Sequence, residues 1–169
     1  MKNILKNQSG NTLFEVIIYV AILGMIVVSF ISFTLAVSSV RNKSYVMSEV
    51  NSNLRIASDL ISQKVRSAEN VLSPLAGNSG ASLSLDMPNP EPSLDFSLSD
   101  GVLYLVEDGI TSSAITSSEV NITQLSFENI SANGQRASLQ VKISGEYRAN
   151  DSREFTYTNS LKTTVNIRK

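Results

Sequence analysis

From Val16 to Val37 the chain carries no charge, and Ser29, Ser32 and Thr34 are its only aliphatic hydroxyls. As a helix rising about 1.5 Å per residue, this run of about 22 residues spans roughly 33 Å, the thickness of a bilayer's hydrocarbon. Directly ahead of it stands Glu15, behind Gly10-Asn11-Thr12-Leu13-Phe14. A carboxylate costs up to about 2.5–3.5 kcal/mol when carried to the centre of a span, so an acid at its edge is a functional residue by default. Met1 to Gly10 hold Lys2 and Lys6 and no acid. Positive charge ahead of an apolar run stays in the cytoplasm, so residues beyond Val40 are expected outside.

Three readings of this start compete. In the first, the run is an uncleaved signal anchor and Glu15 is incidental. In the second, a secretory signal peptide is cut at the small-x-small sequence Ala36-Val37-Ser38. The run is longer than the usual apolar core of about 7–15 residues in such peptides. In the third, the chain is cut ahead of the run and the helix is kept.

The residues around Gly10 favour the third. Gly10-Asn11-Thr12-Leu13-Phe14-Glu15-Val16 resembles the cleavage and methylation signature of type IV prepilins and type II secretion pseudopilins. Gly10 matches the glycine before the cut, Thr12 and Leu13 the usual Thr-Leu, and Glu15 the glutamate at the fifth mature position. Ala21-Ile22-Leu23-Gly24 matches the family's Ala-Ile-x-Gly. Asn11 stands where the family usually has phenylalanine. The resemblance implies cleavage after Gly10 by a membrane aspartyl peptidase and N-methylation of Asn11. In a filament core of stacked helices, the carboxylate of Glu15 would meet the α-amine of Asn11 on a neighbouring subunit. Pairing offsets desolvation, while a mismatched axial position leaves a buried charge alone, so the glutamate would set register.

Composition removes other chemistries. There is no cysteine and no histidine, hence no disulfide framework or thiolate, and neither the commonest general base nor the commonest metal ligand. Fourteen Lys and Arg against 15 Asp and Glu form no basic stripe for nucleic acid. Asp86, Asp95, Asp100, Glu107, Asp108 and Glu119 are scattered and form no D-x-[DN]-x-[DN]-G calcium loop. The serines lie in no G-x-S-x-G, so no hydrolase is expected. Asn42, Asn121 and Asn129 open glycosylation sequons, a short pattern common by chance. Neither an enzyme nor a cofactor is expected.

Beyond Val40 the helix is expected to continue. Val46, Val50, Leu54, Ala57, Ile61, Val65, Ala68 and Leu72 recur at three-to-four spacing, with Arg41, Lys43, Glu49, Arg55, Asp59, Lys64 and Arg66 largely between them. Pro74 and Gly77-Asn78-Ser79-Gly80 should end it. Alternating segments follow at Leu83–Met87, Leu94–Leu98, Val102–Val106, Ile122–Phe127, Leu139–Ile143 and Phe155–Ile167. Asp100-Gly101, Asp108-Gly109 and Asn133-Gly134 punctuate them, the three prolines of Pro88 to Pro92 break the first, and Thr111–Ser118 reads as a hydroxyl-rich loop. Alternation means one buried face, as in an antiparallel sheet, and the stripe and the sheet are each other's natural cover.

The expected fold class is therefore α+β. Residues 1–10 form a leader, 11–40 a membrane and filament-core helix, 41–73 an amphipathic helix, and 74–169 an extracytoplasmic sheet domain. This is the pilin layout, and the late strands loosely resemble J-class minor pseudopilins or minor pilins. The resemblance implies a structural subunit of a type IV pilus, a type II secretion machine or a DNA-uptake filament, in a minor role because the domain lacks a C-terminal cysteine loop. Its implied partners are other pilin or pseudopilin subunits, the prepilin peptidase, the inner-membrane assembly platform and, before assembly, membrane lipid. The competing class is a membrane-tethered binding module, for example for a surface glycan, with an uncleaved anchor.

Overall fold

A helix that carries one apolar stripe needs a cover, and a sheet with alternating burial needs one too. The computed structural model, which describes residues 12–131, 137–148 and 156–168, joins them. Helix α1 runs from Leu13–Ser67, and nine strands follow among the described residues. They are β1 (Asn70–Ser73), β2 (Ser79–Gly80), β3 (Leu83–Asp86), β4 (Leu94–Ser99), β5 (Val102–Glu107), β6 (Thr111–Ala114), β7 (Val120–Asn129), β8 (Ser138–Tyr147) and β9 (Thr158–Asn166). They form a five-stranded sheet in the order β1-β3-β4-β5-β6 and a four-stranded sheet in the order β2-β7-β8-β9. Every pairing is antiparallel. The α+β class thus holds, with two sheets where alternation alone suggested one.

The chain divides into two compact units, Met1–Arg41 and Asn42–Lys169. In the second, Val46, Val50, Leu54, Ala57, Ile61 and Val65 of α1 are buried together with Leu83, Leu85, Leu94, Phe96, Leu103, Phe127, Leu139, Val141 and Ile143. Gly145 on β8 shows how closely helix and sheet approach. A Cβ there would lie 3.2 Å from Cδ1 of Ile122 and 3.3 Å from Cδ2 of Leu54, so the bare backbone makes the room that Leu54 fills.

The turns obey the sequence signals. Asp100 and Gly101 both have positive φ, 50° and 73°, the two-residue loop that matches strand twist, and a Cβ on Gly101 would run into the Asn121 side chain. Asp108 and Gly109 repeat the device, with the Ile110 N–H donating to the Glu107 carbonyl. The segment after this turn is not loop: Thr111–Ala114 pairs with β5 as edge strand β6. Its residues are all exposed and hydroxyl-rich, so no alternation announced it. The Asn133-Gly134 turn and Phe155 lie outside the described residues.

The helix also ends earlier than residue 73. The Ser67 hydroxyl donates to the carbonyls of Gln63 and Lys64, and the Glu69 N–H donates to Asp86, drawing the chain into β1 beside β3. Val71 becomes the buried residue and Leu72 is exposed. Sheet pairing, not a proline or glycine, terminates α1.

Leu54→Ala should destabilise the folded domain by about 2–5 kcal/mol, the usual cost of a buried leucine truncation. Leu23→Ala, on the exposed apolar run, should leave the denaturation midpoint of the detergent-solubilised chain unchanged. Equal effects of the two would contradict the packing described.

Candidate functional site: the N-terminal helix and its anchorage

Thr12 precedes the first helical residue, and its carbonyl accepts from the N–H groups of Glu15 at 3.0 Å and Val16 at 3.3 Å. Thr12-Leu13-Phe14-Glu15 has the spacing of a capping box, in which the glutamate reaches back to the chain ahead. Its one described side-chain partner lies the other way. The Tyr19 hydroxyl, one turn further on, donates to Oε1 of Glu15 at 2.8 Å. Glu15 is half-buried, and its place in the first turn sets it at the positive end of the helix dipole.

Beyond Glu15 the helix is largely apolar, and residues 16–36 are all exposed. Leu13, Phe14, Leu23, Met25, Phe30 and Phe33 are all more than half exposed. This helix is long and apolar enough to cross a membrane. Three of its aliphatic hydroxyls turn inward to the backbone. Ser29 donates to the Met25 carbonyl, Thr34 to Phe30 and Ser39 to Ala36, which satisfies each without a partner chain. Gly24 has open space around it: a Cβ there would meet nothing within 4 Å. Leu13, Glu15 and Gly24 therefore lie on one described helix with Thr12 directly ahead of it, while Gly10 and Asn11, on which cleavage and methylation would fall, lie outside the described residues.

In the second unit, polar clasps tie α1 to the sheets. Asn53, 7% exposed, donates to the carbonyl and Oε1 of Glu49 and accepts from the Ser117 N–H at 2.7 Å. The Ser117 hydroxyl donates to the same Glu49 oxygen. Asn51 accepts from Asn159 at 2.7 Å and from the Tyr157 hydroxyl at 3.4 Å, reaching β9 and the residue before it. Tyr45 donates to Oε2 of Glu119 at 3.0 Å, and Tyr147 donates to the same oxygen at 3.5 Å. The two rings meet edge to face, with centroids 6.4 Å apart. The hydrogen bond to Glu119, then the carboxylate's charge, pushes the Tyr45 phenol upward; for Tyr147 burial is the larger cause and Glu119 the next.

These clasps escaped the sequence reading because they join residues 64 to 108 positions apart, with no local spacing to betray them. Tyr19 did carry a signal, the i, i+4 offset from Glu15. The candidate carboxylates between Asp86 and Glu119 are dispersed, and no cluster of three metal-ligating side chains occurs among the described residues. Two of the sequon asparagines have their amides engaged: Asn121 donates to Glu146, and the buried Asn129 donates to the Pro74 carbonyl. Comparison with protein-family models, with curated proteins and with solved structures found no match for this chain.

Both phenols are held protonated by the fold. Their contribution to stability is complete below the ordinary tyrosine pKa near 10 and is lost as pH rises through the raised folded values. Denaturation midpoints measured between about pH 9 and 11.5 should fall more steeply for the wild-type chain than for Tyr45→Phe or Tyr147→Phe. Parallel curves would remove the clasp from the account.

Proposed function

We propose that the chain is a structural subunit of a pilin-like filament, a minor pilin or pseudopilin of a type IV pilus, type II secretion or DNA-uptake system. The observation that carries this reading is Glu15 in the first turn of a long uncovered apolar helix, five residues behind Gly10. A helix with an apolar first unit and a second half packed on antiparallel sheets supports it. So does the self-satisfaction of Ser29, Thr34 and Ser39, which suits a helix that must sit in lipid before it meets other helices.

In this reading the chain inserts with Lys2 and Lys6 inside and its sheets outside. A prepilin peptidase, for which the side-chain-free Gly10 leaves the scissile bond open, releases the α-amine of Asn11 for methylation. Lateral entry into a filament then brings that amine to the Glu15 of a neighbour, where an uncompensated charge would be costly. Other subunits, the assembly platform and lipid are the partners, and the role is architectural, not catalytic.

Co-expression with a prepilin peptidase should shorten the chain by its ten-residue leader and leave Asn11 as the N-terminus on sequencing. Glu15→Ala should still be cut but should enter filaments far less than wild type. An uncut product that stays in the membrane would favour the tethered binding module, and a product beginning beyond Ala36 would discard the helix and the proposal with it.

A further inference from the structure

We propose that Tyr19 is the positioning residue for Glu15, the partner that keeps this carboxylate hydrogen-bonded while the helix lies in lipid. The functional role rests on the filament reading; the pairing itself does not.

Among the polar side chains of the span, Ser29, Thr34 and Ser39 donate to their own backbone. Tyr19 donates to an acid. Hydrogen bonds to an ionised acceptor are the strong ones, and hydrocarbon supplies no water to replace them. Direction matters as well as distance. Helical side chains lean toward the N-terminus, so a residue at i+4 reaches back over the turn before it. Tyr19, rooted about 6 Å deeper, therefore holds Glu15 from below. Glu15 stays at the membrane-edge turn with one oxygen, Oε1, engaged. A carboxylate has two oxygens and about four lone-pair sites, so this bond leaves acceptor capacity for an ammonium from another chain. The pair thus does two things. It meets the desolvation of the acid in the single helix, and it fixes the rotamer that presents the acid to an incoming amine. Glu15 is then oriented before assembly instead of being ordered by it.

The test uses the full chain in phospholipid bilayers with 13C-labelled tyrosine. The Tyr19 Cζ resonance is assigned as the one missing from Tyr19→Phe. Removing its acceptor with Glu15→Ala should move that resonance upfield. An interfacial tyrosine without this partner would give the same signal in both, which overturns the proposal whatever filament assays show. In cells carrying the assembly machinery, Tyr19→Phe should be cleaved as wild type yet enter filaments about tenfold less in competition, the scale of one hydrogen bond to a charged group. Tyr19→Gln, which restores an amide donor at i+4, should recover part of the loss. Wild-type entry by Tyr19→Phe would overturn the positioning role. If wild type itself is uncut or excluded from filaments, the filament reading fails, and the resonance alone decides the pair.

Discussion

One helix has to satisfy two environments, and that constraint organises the chain. Over its first unit α1 has no protein cover, and several of its polar groups are met within the helix. Backbone carbonyls take the hydroxyls of Ser29, Thr34 and Ser39, and Tyr19 takes Glu15. Over its second half the same helix carries a single stripe from Val46 to Val65 and buries it against two sheets. Polar residues flanking that stripe, Glu49, Asn51 and Asn53, reach the chain near Ser117 and the β9 strand. The side-chain hydrogen bonds of the first half join groups one turn apart. The second relies on partners distant in sequence, which the sheets must supply.

Local patterns told much of this and missed a definable remainder. The stripe was legible because 3.6-residue periodicity is a property of neighbours, and the hairpin at Asp100-Gly101 because positive φ selects those residues. Thr111–Ala114 was not legible, since an edge strand exposed on both faces has no alternation to read. The end of α1 was misplaced for the same reason. Nothing between Ser67 and Pro74 breaks a helix locally, and only the pairing of Asn70 and Val71 with Asp86 and Leu85 decides that these residues are strand. Within the candidate site, Glu15 was visible from its cost in an apolar setting. Its bond to Tyr19 needed the rotamer that only a structure provides.

The clasp around Glu119 gives the domain a second attachment of a different kind from the stripe. Apolar burial there tolerates modest repacking. The contacts of Tyr45 and Tyr147 with one carboxylate oxygen are directional and depend on protonation. The stripe and the clasp would therefore respond to different perturbations, cavity formation for one and alkaline titration for the other.

Strand β7 holds one further consequence. Its inward residues are Val120 and Ile122, then Leu125, Phe127 and Asn129, a change from even to odd numbers made possible by the register shift between Ile122 and Gln124. Thr123 works as a parity converter: it is the extra residue of the bulge, and deleting it would join Ile122 to Gln124 in an unbroken zigzag with all five inward residues on one face. A relative one residue shorter at this point would thus keep the same inward set on a straighter strand, whereas losing a residue elsewhere in β7, away from Thr123 and Gln124, would turn part of the strand inside out.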